Sequence, residues 1–141
     1  MKVTYGRGYV YSLRYHIVFC VKYRHKVLIN EQALRIKALF SKIAVDRKFD
    51  IITMEVMPDH VHLLIDCTPQ HYIPDIIKIL KGNTARWLFM ETPQIKQKLW
   101  GGHLWNPSYF VTTVSDVSEE IIADYINSQK ERGDKVGSEG L

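Results

Sequence analysis

The amino-acid sequence predicts an α+β fold of the ferredoxin-like βαββαβ kind: an antiparallel sheet, two helices on one of its faces, and an added C-terminal helix. Three observations carry that expectation. Several runs alternate apolar and polar residues, as strands with one buried face do. Two long segments between them space their apolar residues at helical intervals. Pro58-Asp59 separates two strand-like runs with turn chemistry, which reads as a hairpin.

The elements follow in order. From Tyr9 to Tyr23 the period is two, with Tyr9, Tyr11, Leu13, Tyr15, Ile17, Phe19 and Val21 on one face and Ser12, Arg14, His16 and Lys22 on the other. Asn30 is positioned to cap a helix from Glu31 to about Lys48, whose inner stripe is Ile36, Phe40 and Ile43. Ile51 to Met57 reads as a second strand, with Ile52, Met54 and Val56 inward and Thr53, Glu55 and Met57 outward. The strand holding His60 to Ile65 follows. A second helix runs from about Tyr72 to Met90 and stops at Pro93. A loop with Gly101, Gly102 and Asn106-Pro107 leads to a last strand around Tyr109 to Val114, and Ser118 caps a final helix ending near Gly133.

The 141 residues suit one domain, read here as 1–133, with the polar stretch 134–141 as a flexible tail. A composition of 46% hydrophobic and 24% charged residues fits an ordinary globular domain, and a net charge of +4 leans toward an anionic partner. Cys20 and Cys67 are too few for a disulfide framework or a zinc cluster, so a reduced, cytoplasmic setting is expected. No apolar run approaches the roughly 18 residues of a membrane span, so no membrane partner is expected.

The chemistry concentrates at two places. On a strand, residues i and i+2 leave the same face, so His60 and His62 project together while Val61 turns inward. Two imidazoles held side by side are half of a divalent-cation site. On the last helix, Tyr125 and Gln129 stand at i and i+4 and share a face. With the Gln129 amide oxygen, the histidines could give Mg²⁺ or Mn²⁺ three ligands, all uncharged. Such a site holds a hard cation weakly until a phosphodiester brings negative charge. Tyr125 would reach the same point as a nucleophile on phosphorus.

His60-Val61-His62 matches the His-hydrophobic-His motif, and Tyr125 with Gln129 matches a Tyr-x-x-x-Gln element. Together they make the chain resemble the single-tyrosine HUH transposases of insertion sequences, the TnpA type. Segments such as Met57-Pro58-Asp59-His60 and Trp105-Asn106-Pro107-Ser108-Tyr109 share the likeness, which spans nearly the whole chain. The resemblance implies a transposase that recognises hairpins in single-stranded DNA and cleaves with Mg²⁺ or Mn²⁺, keeping a 5′-phosphotyrosine and freeing a 3′-OH. It implies a homodimer acting in the prokaryotic cytoplasm on the nucleoid. Mapped here, the ligands are His60, His62 and Gln129, and the nucleophile is Tyr125. Whether Tyr125 serves its own chain or a partner is left open by the sequence.

For DNA contacts the basic candidates are Arg14, His16, Lys22, Arg24, Lys78, Lys81 and Arg86. Two other readings use the same residues differently. A replication-initiator or relaxase-like nickase would share the chemistry but not join paired ends. A non-catalytic nucleic-acid-binding module would have no need of the four motif residues together.

Overall fold

A computed structural model of the chain describes residues 4–6, 9–11, 13–99, 102–114 and 122–129. Strands β1 (Thr4–Gly6) and β2 (Tyr9–Tyr11) pair antiparallel with each other. The main sheet comprises β3 (Leu13–Cys20), β4 (Asp50–Met57), β5 (His60–Cys67) and β6 (Phe110–Thr113) in the order β4-β5-β3-β6. Every neighbouring pair in it is antiparallel. Helices α1 (Glu31–Arg47) and α2 (Ile73–Glu91) connect the strands, α3 (Pro93–Lys98) follows, and α4 covers 122–129. This is the ferredoxin-like order expected from the alternation of elements.

The core lies between the sheet and the two long helices. Ile17, Phe19, Val61, Leu63 and Ile65 from the strands meet Ile36, Phe40 and Ile43 of α1 and Ile76, Ile77, Leu80 and Leu88 of α2. Burying these side chains, at roughly 1.5–3 kcal/mol each, is the main drive for the layered packing. The opposite face of the sheet carries His16, Val18 and Cys20 of β3, His60 and His62 of β5, Glu55 of β4 and Phe110 of β6, as the cross-strand pairs require.

Three expectations change. The first strand does not continue to Tyr23. The chain divides it into β2 and β3, ends it at Cys20, and turns through Lys22–Arg24 with Tyr23 and Arg24 at positive φ of 57° and 52°. Ile52 does not face the core: a register shift between Ile51 and Thr53 leaves it 42% exposed, and Ile51 packs against the core instead. Asn30 adopts φ 54° and makes no side-chain cap bond to α1. The second helix stops before Pro93 as expected, and Pro93 opens α3, where its missing N–H costs nothing. The expected cap Ser118 and the 134–141 tail lie outside the described residues.

Candidate active site

The hairpin at Pro58-Asp59 fixes the histidine strand at its first residue. On β5, Val61, Leu63 and Ile65 are fully buried, while His60 and His62 stand on the other face opposite Cys20 and Val18 of β3. His60 Nδ1 lies 2.8 Å from Asp59 Oδ1. The ring therefore donates Nδ1–H to the carboxylate and presents Nε2 as its lone-pair nitrogen, the arrangement that orients metal-binding histidines. Arg24 holds the other carboxylate oxygen, with Nε at 3.0 Å and Nη2 at 2.9 Å from Oδ2. Burial pushes the Asp59 carboxyl upward, but the His60 hydrogen bond and the Arg24 charge outweigh it and hold the group below its usual range.

His62 Nε2 lies 3.0 Å from His16 Nδ1, so one ring donates and the other accepts. The rings are tilted, with centroids 5.2 Å apart. Glu55 Oε2 is 4.0 Å from the His62 Nδ1. Burial lowers the pKa of both rings, and the neighbouring His16 charge pushes His62 further down while Glu55 pulls it up. His62 is thus neutral at physiological pH, as a ligand must be.

Tyr125 and Gln129 share one face of α4, and Ser108 touches both. Its Oγ lies 3.1 Å from Tyr125 Oη and donates to Gln129 Oε1 at 2.7 Å. Asn106 Nδ2 also donates to Gln129 Oε1, at 2.8 Å. The Tyr125 ring packs on Phe110, with centroids 5.4 Å apart. Because Phe110 pairs with Val18, and Val18 with His62, α4 lies over the face that bears the histidines. Arg24 joins the two halves: while clasping Asp59, it donates from Nη1 to the Ile126 carbonyl at 3.3 Å. Gln129 is 1% exposed, and its Nε2, like Asn106 Oδ1, is buried without a partner among the described residues. Each such orphan costs about 1–3 kcal/mol.

The segment bearing Asn106 and Ser108 is tied down from two sides. Val21 bridges Trp105, and Asn106 N donates to the Cys20 carbonyl at 2.8 Å. From α2, the Lys81 ammonium donates to the Asn106 and Ser108 carbonyls at 2.8 and 2.9 Å, and lies over the Phe19 and Tyr109 rings. Burial lowers its pKa to about 8. Trp105 packs edge-on against Phe19 and donates its indole N–H to the Lys81 carbonyl and Thr84 Oγ1, so it is a core residue.

The basic residues sort into different roles. Lys22 is 1% exposed, so it does not stand on the open face of the first strand as the alternation implied. The chain turns at Val21, which carries Lys22 inward. Lys81 is partly buried, with its ammonium held by the carbonyls of Asn106 and Ser108. Arg24 is committed to Asp59 and α4, His16 to His62, and Arg14 to Asp66 at 3.4 Å. Lys78 and Arg86 line a groove of about 570 Å³ with Arg47 on the helical layer. Among the described residues no three His, Cys, Asp or Glu side chains cluster as a cation site.

A family model described as "Transposase IS200 like" matches residues 9–129, from β2 to Gln129. The chain belongs to the IS200-like transposase family. It is 53% identical over 132 residues to the ISDra2 transposase TnpA of Deinococcus radiodurans, covering 94% of each chain. It is 29% identical over 129 residues to the IS200 transposase of Salmonella typhimurium, covering 92% of this chain and 84% of that one. A crystal structure of a Deinococcus radiodurans R1 chain assigned as a transposase superposes with TM-score 0.83 at 50% identity, covering 89% and 97% of the two chains. A REP-associated tyrosine transposase bound to a REP hairpin superposes with TM-score 0.56 at 17% identity over 91% and 73%, a likeness of fold. Transposition, a DNA-cleaving activity, is therefore the function class of this chain. Among the described residues no helix is long and apolar enough to cross a membrane.

Two predictions arise from these contacts. An unfolded chain takes up protons on His16 and His62 near pH 6.5, before the folded rings do, so stability falls as pH drops through that value. Asp59 adds to the loss on further acidification through 3.8, because its folded carboxyl holds its charge longer than the unfolded one. Urea midpoints measured from pH 7.5 to 5 should decline, with a shallower slope in His62→Gln. Lys81→Met removes the donor for two carbonyls and should lower stability by about 1–3 kcal/mol in urea unfolding. It should also slow DNA cleavage, because Asn106 and Ser108 lose their fixed position.

Proposed function

We propose that this transposase cleaves and rejoins single-stranded DNA at the ends of an insertion sequence, with Tyr125 as nucleophile and Mg²⁺ or Mn²⁺ held by His60, His62 and Gln129. The observation that carries the reading is the continuous set of contacts from His60 through Asp59 and Arg24 to the backbone of α4. It ties the motif histidines and the motif tyrosine of one chain into one arrangement.

The residues fit a hard cation by their chemistry. His60 already presents Nε2 and His62 is neutral, while Gln129 Oε1 is taken up by Asn106 and Ser108, so its amide would have to turn to offer that oxygen. His62 would exchange its His16 contact for the ion, and Gln129 would turn its oxygen toward it. When bound, the ion polarises the scissile phosphate and offsets charge that develops during displacement. The remaining work falls to the chain. Arg24 and Asp59 fix the His60 ring, and Phe110 and Ser108 fix the phenol. The Tyr125 oxygen forms a bond to phosphorus as the bond to the 3′ oxygen breaks. The phenol gives its proton to solvent, the departing 3′ oxygen takes one from solvent and leaves as a hydroxyl, and a 5′-phosphotyrosine remains. Reversal with a different 3′-OH rejoins ends without an external energy source.

Excision needs two cuts and each chain offers one motif tyrosine, which supports a homodimer. The hairpin held by the REP-associated relative supports an analogous substrate here, folded single-stranded DNA. A nickase with the same chemistry would cleave and reclose one strand but would not join two different ends.

Incubation with labelled single-stranded hairpin DNA from the element's ends and Mn²⁺ should give a denaturant-stable protein–DNA adduct. Tyr125→Phe should abolish it with hairpin affinity unchanged, and His60→Ala should reduce it at least about 100-fold, a typical cost of losing a metal-site residue. An adduct persisting in Tyr125→Phe would remove the tyrosine from the mechanism. On the groove of the helical layer, Lys78→Ala with Arg86→Ala should weaken hairpin binding and lower the salt-dependence exponent by about 1–2, one for each phosphate no longer neutralised. Fluorescence anisotropy at several salt concentrations reads both, and an unchanged exponent would take these residues out of the interface.

A further inference from the structure

The structure assigns to Asn106 and Ser108 the role of positioning residues that set which end of the Gln129 amide is presented, so that arrival of the ion is signalled to the Tyr125 oxygen. The inference rests on the proposed roles of Gln129 and Tyr125 and concerns two residues outside the motif.

Gln129 Oε1 has two lone-pair directions, and both are occupied, by Asn106 Nδ2 at 2.8 Å and Ser108 Oγ at 2.7 Å. In this arrangement the oxygen has nothing left for a cation. The atom without a partner is Nε2, which repels one, and the matching orphan across the pair is Asn106 Oδ1. Gln129 and Asn106 are 1% and 2% exposed, and neither free amide end has a partner among the described residues. Two buried primary amides sharing one bond, each with its other end empty, are an incomplete site.

A half-turn of both amides completes it. The two ends of a primary amide have almost the same shape, so the turn needs little space. Afterwards Gln129 Nε2 donates to Asn106 Oδ1, which keeps the bond between the two side chains. Gln129 Oε1 takes the place of the orphaned nitrogen and can accept a cation. Neither amide can turn alone, because two N–H groups or two oxygens would then face each other. Asn106 is fixed by its own backbone N–H to Cys20 and by Lys81 on its carbonyl, so only its side chain moves.

Ser108 must reverse with them. In the present arrangement its only proton goes to Gln129 Oε1, so in its contact with Tyr125 at 3.1 Å the phenol is the donor. After the half-turn Gln129 offers Ser108 an N–H, the hydroxyl accepts it, and its proton is released to point at the Tyr125 oxygen. The hydroxyl thus changes from accepting the phenol's proton to supporting negative charge on its oxygen. This occurs only when the amide has turned.

The test is NMR of the full-length wild-type chain with ¹⁵N-labelled side-chain amides, assigned through intraresidue correlations, titrated with Mg²⁺ to a large excess because the site holds the ion weakly without DNA. Without Mg²⁺ the exchange-protected N–H should belong to Asn106, and at saturation protection should pass to Gln129. Protection that remains on Asn106 while the His60 and His62 ring signals move would overturn the inference and leave the metal site intact. Ring signals that do not move would overturn the metal site itself, and the inference with it. A second arm uses Asn106→Asp, whose carboxylate only accepts and therefore holds Gln129 in the turned state. Mn²⁺ binding, read as loss of the free-ion EPR signal, should tighten by about threefold or more, and most of that gain should vanish in the Gln129→Leu background. A gain of equal size in both backgrounds would mean a plain charge effect and would also overturn it.

Discussion

The antiparallel register of β3 against β5 is the constraint on which the site depends. Eight consecutive pairs, from Leu13 with Cys67 to Cys20 with His60, fix which residues face the helices and which face α4. A slip of one residue would send Val61, Leu63 and Ile65 to the open face and bury both imidazoles. The hydrophobic core and the chemistry are therefore specified by the same hydrogen-bond ladder. The large apolar contribution of one face keeps the other in place.

The open face is assembled from short polar links, each of modest strength. Lys81 holds the carbonyls of the segment that offers Asn106 and Ser108, and those side chains hold Gln129 and Tyr125. Arg24 bonds to Asp59 and α4 together, so the ring of His60 and the position of the helix are not independent. A cation buried at the cost of a lowered pKa, as in Lys81, is a poor way to gain stability. It does fix the 106–108 segment relative to α2.

Much of this was legible in the sequence, for physical reasons. The shared face of His60 and His62 follows from the period of a strand, and the shared face of Tyr125 and Gln129 from the period of a helix. The order of elements gave the ferredoxin-like sheet because hairpin and crossover connections leave few alternatives. What was missed depended on partners distant in the chain. Ile52 looks inward by alternation, but a bulge is a property of two strands. Lys22 looks exposed until the chain turns at Val21. Lys81 sits away from the apolar stripe of α2 and finds its ligands only when residues 106–108 arrive from beyond α3. Asn106 and Ser108 carry no chemical signature of their own, and only the motif residues they touch give them meaning.

The way α4 is held bears on how two such chains would coexist. Arg24, Asn106, Ser108 and Phe110 lie outside the helix they hold, and a symmetric pair of chains owns each of them twice. Trading terminal helices between copies would break these bonds and form the same ones again, so the swap is close to neutral in contact energy. The balance then falls to the connecting chain, whose closure entropy changes by only about 0.6 kcal/mol for each doubling in length.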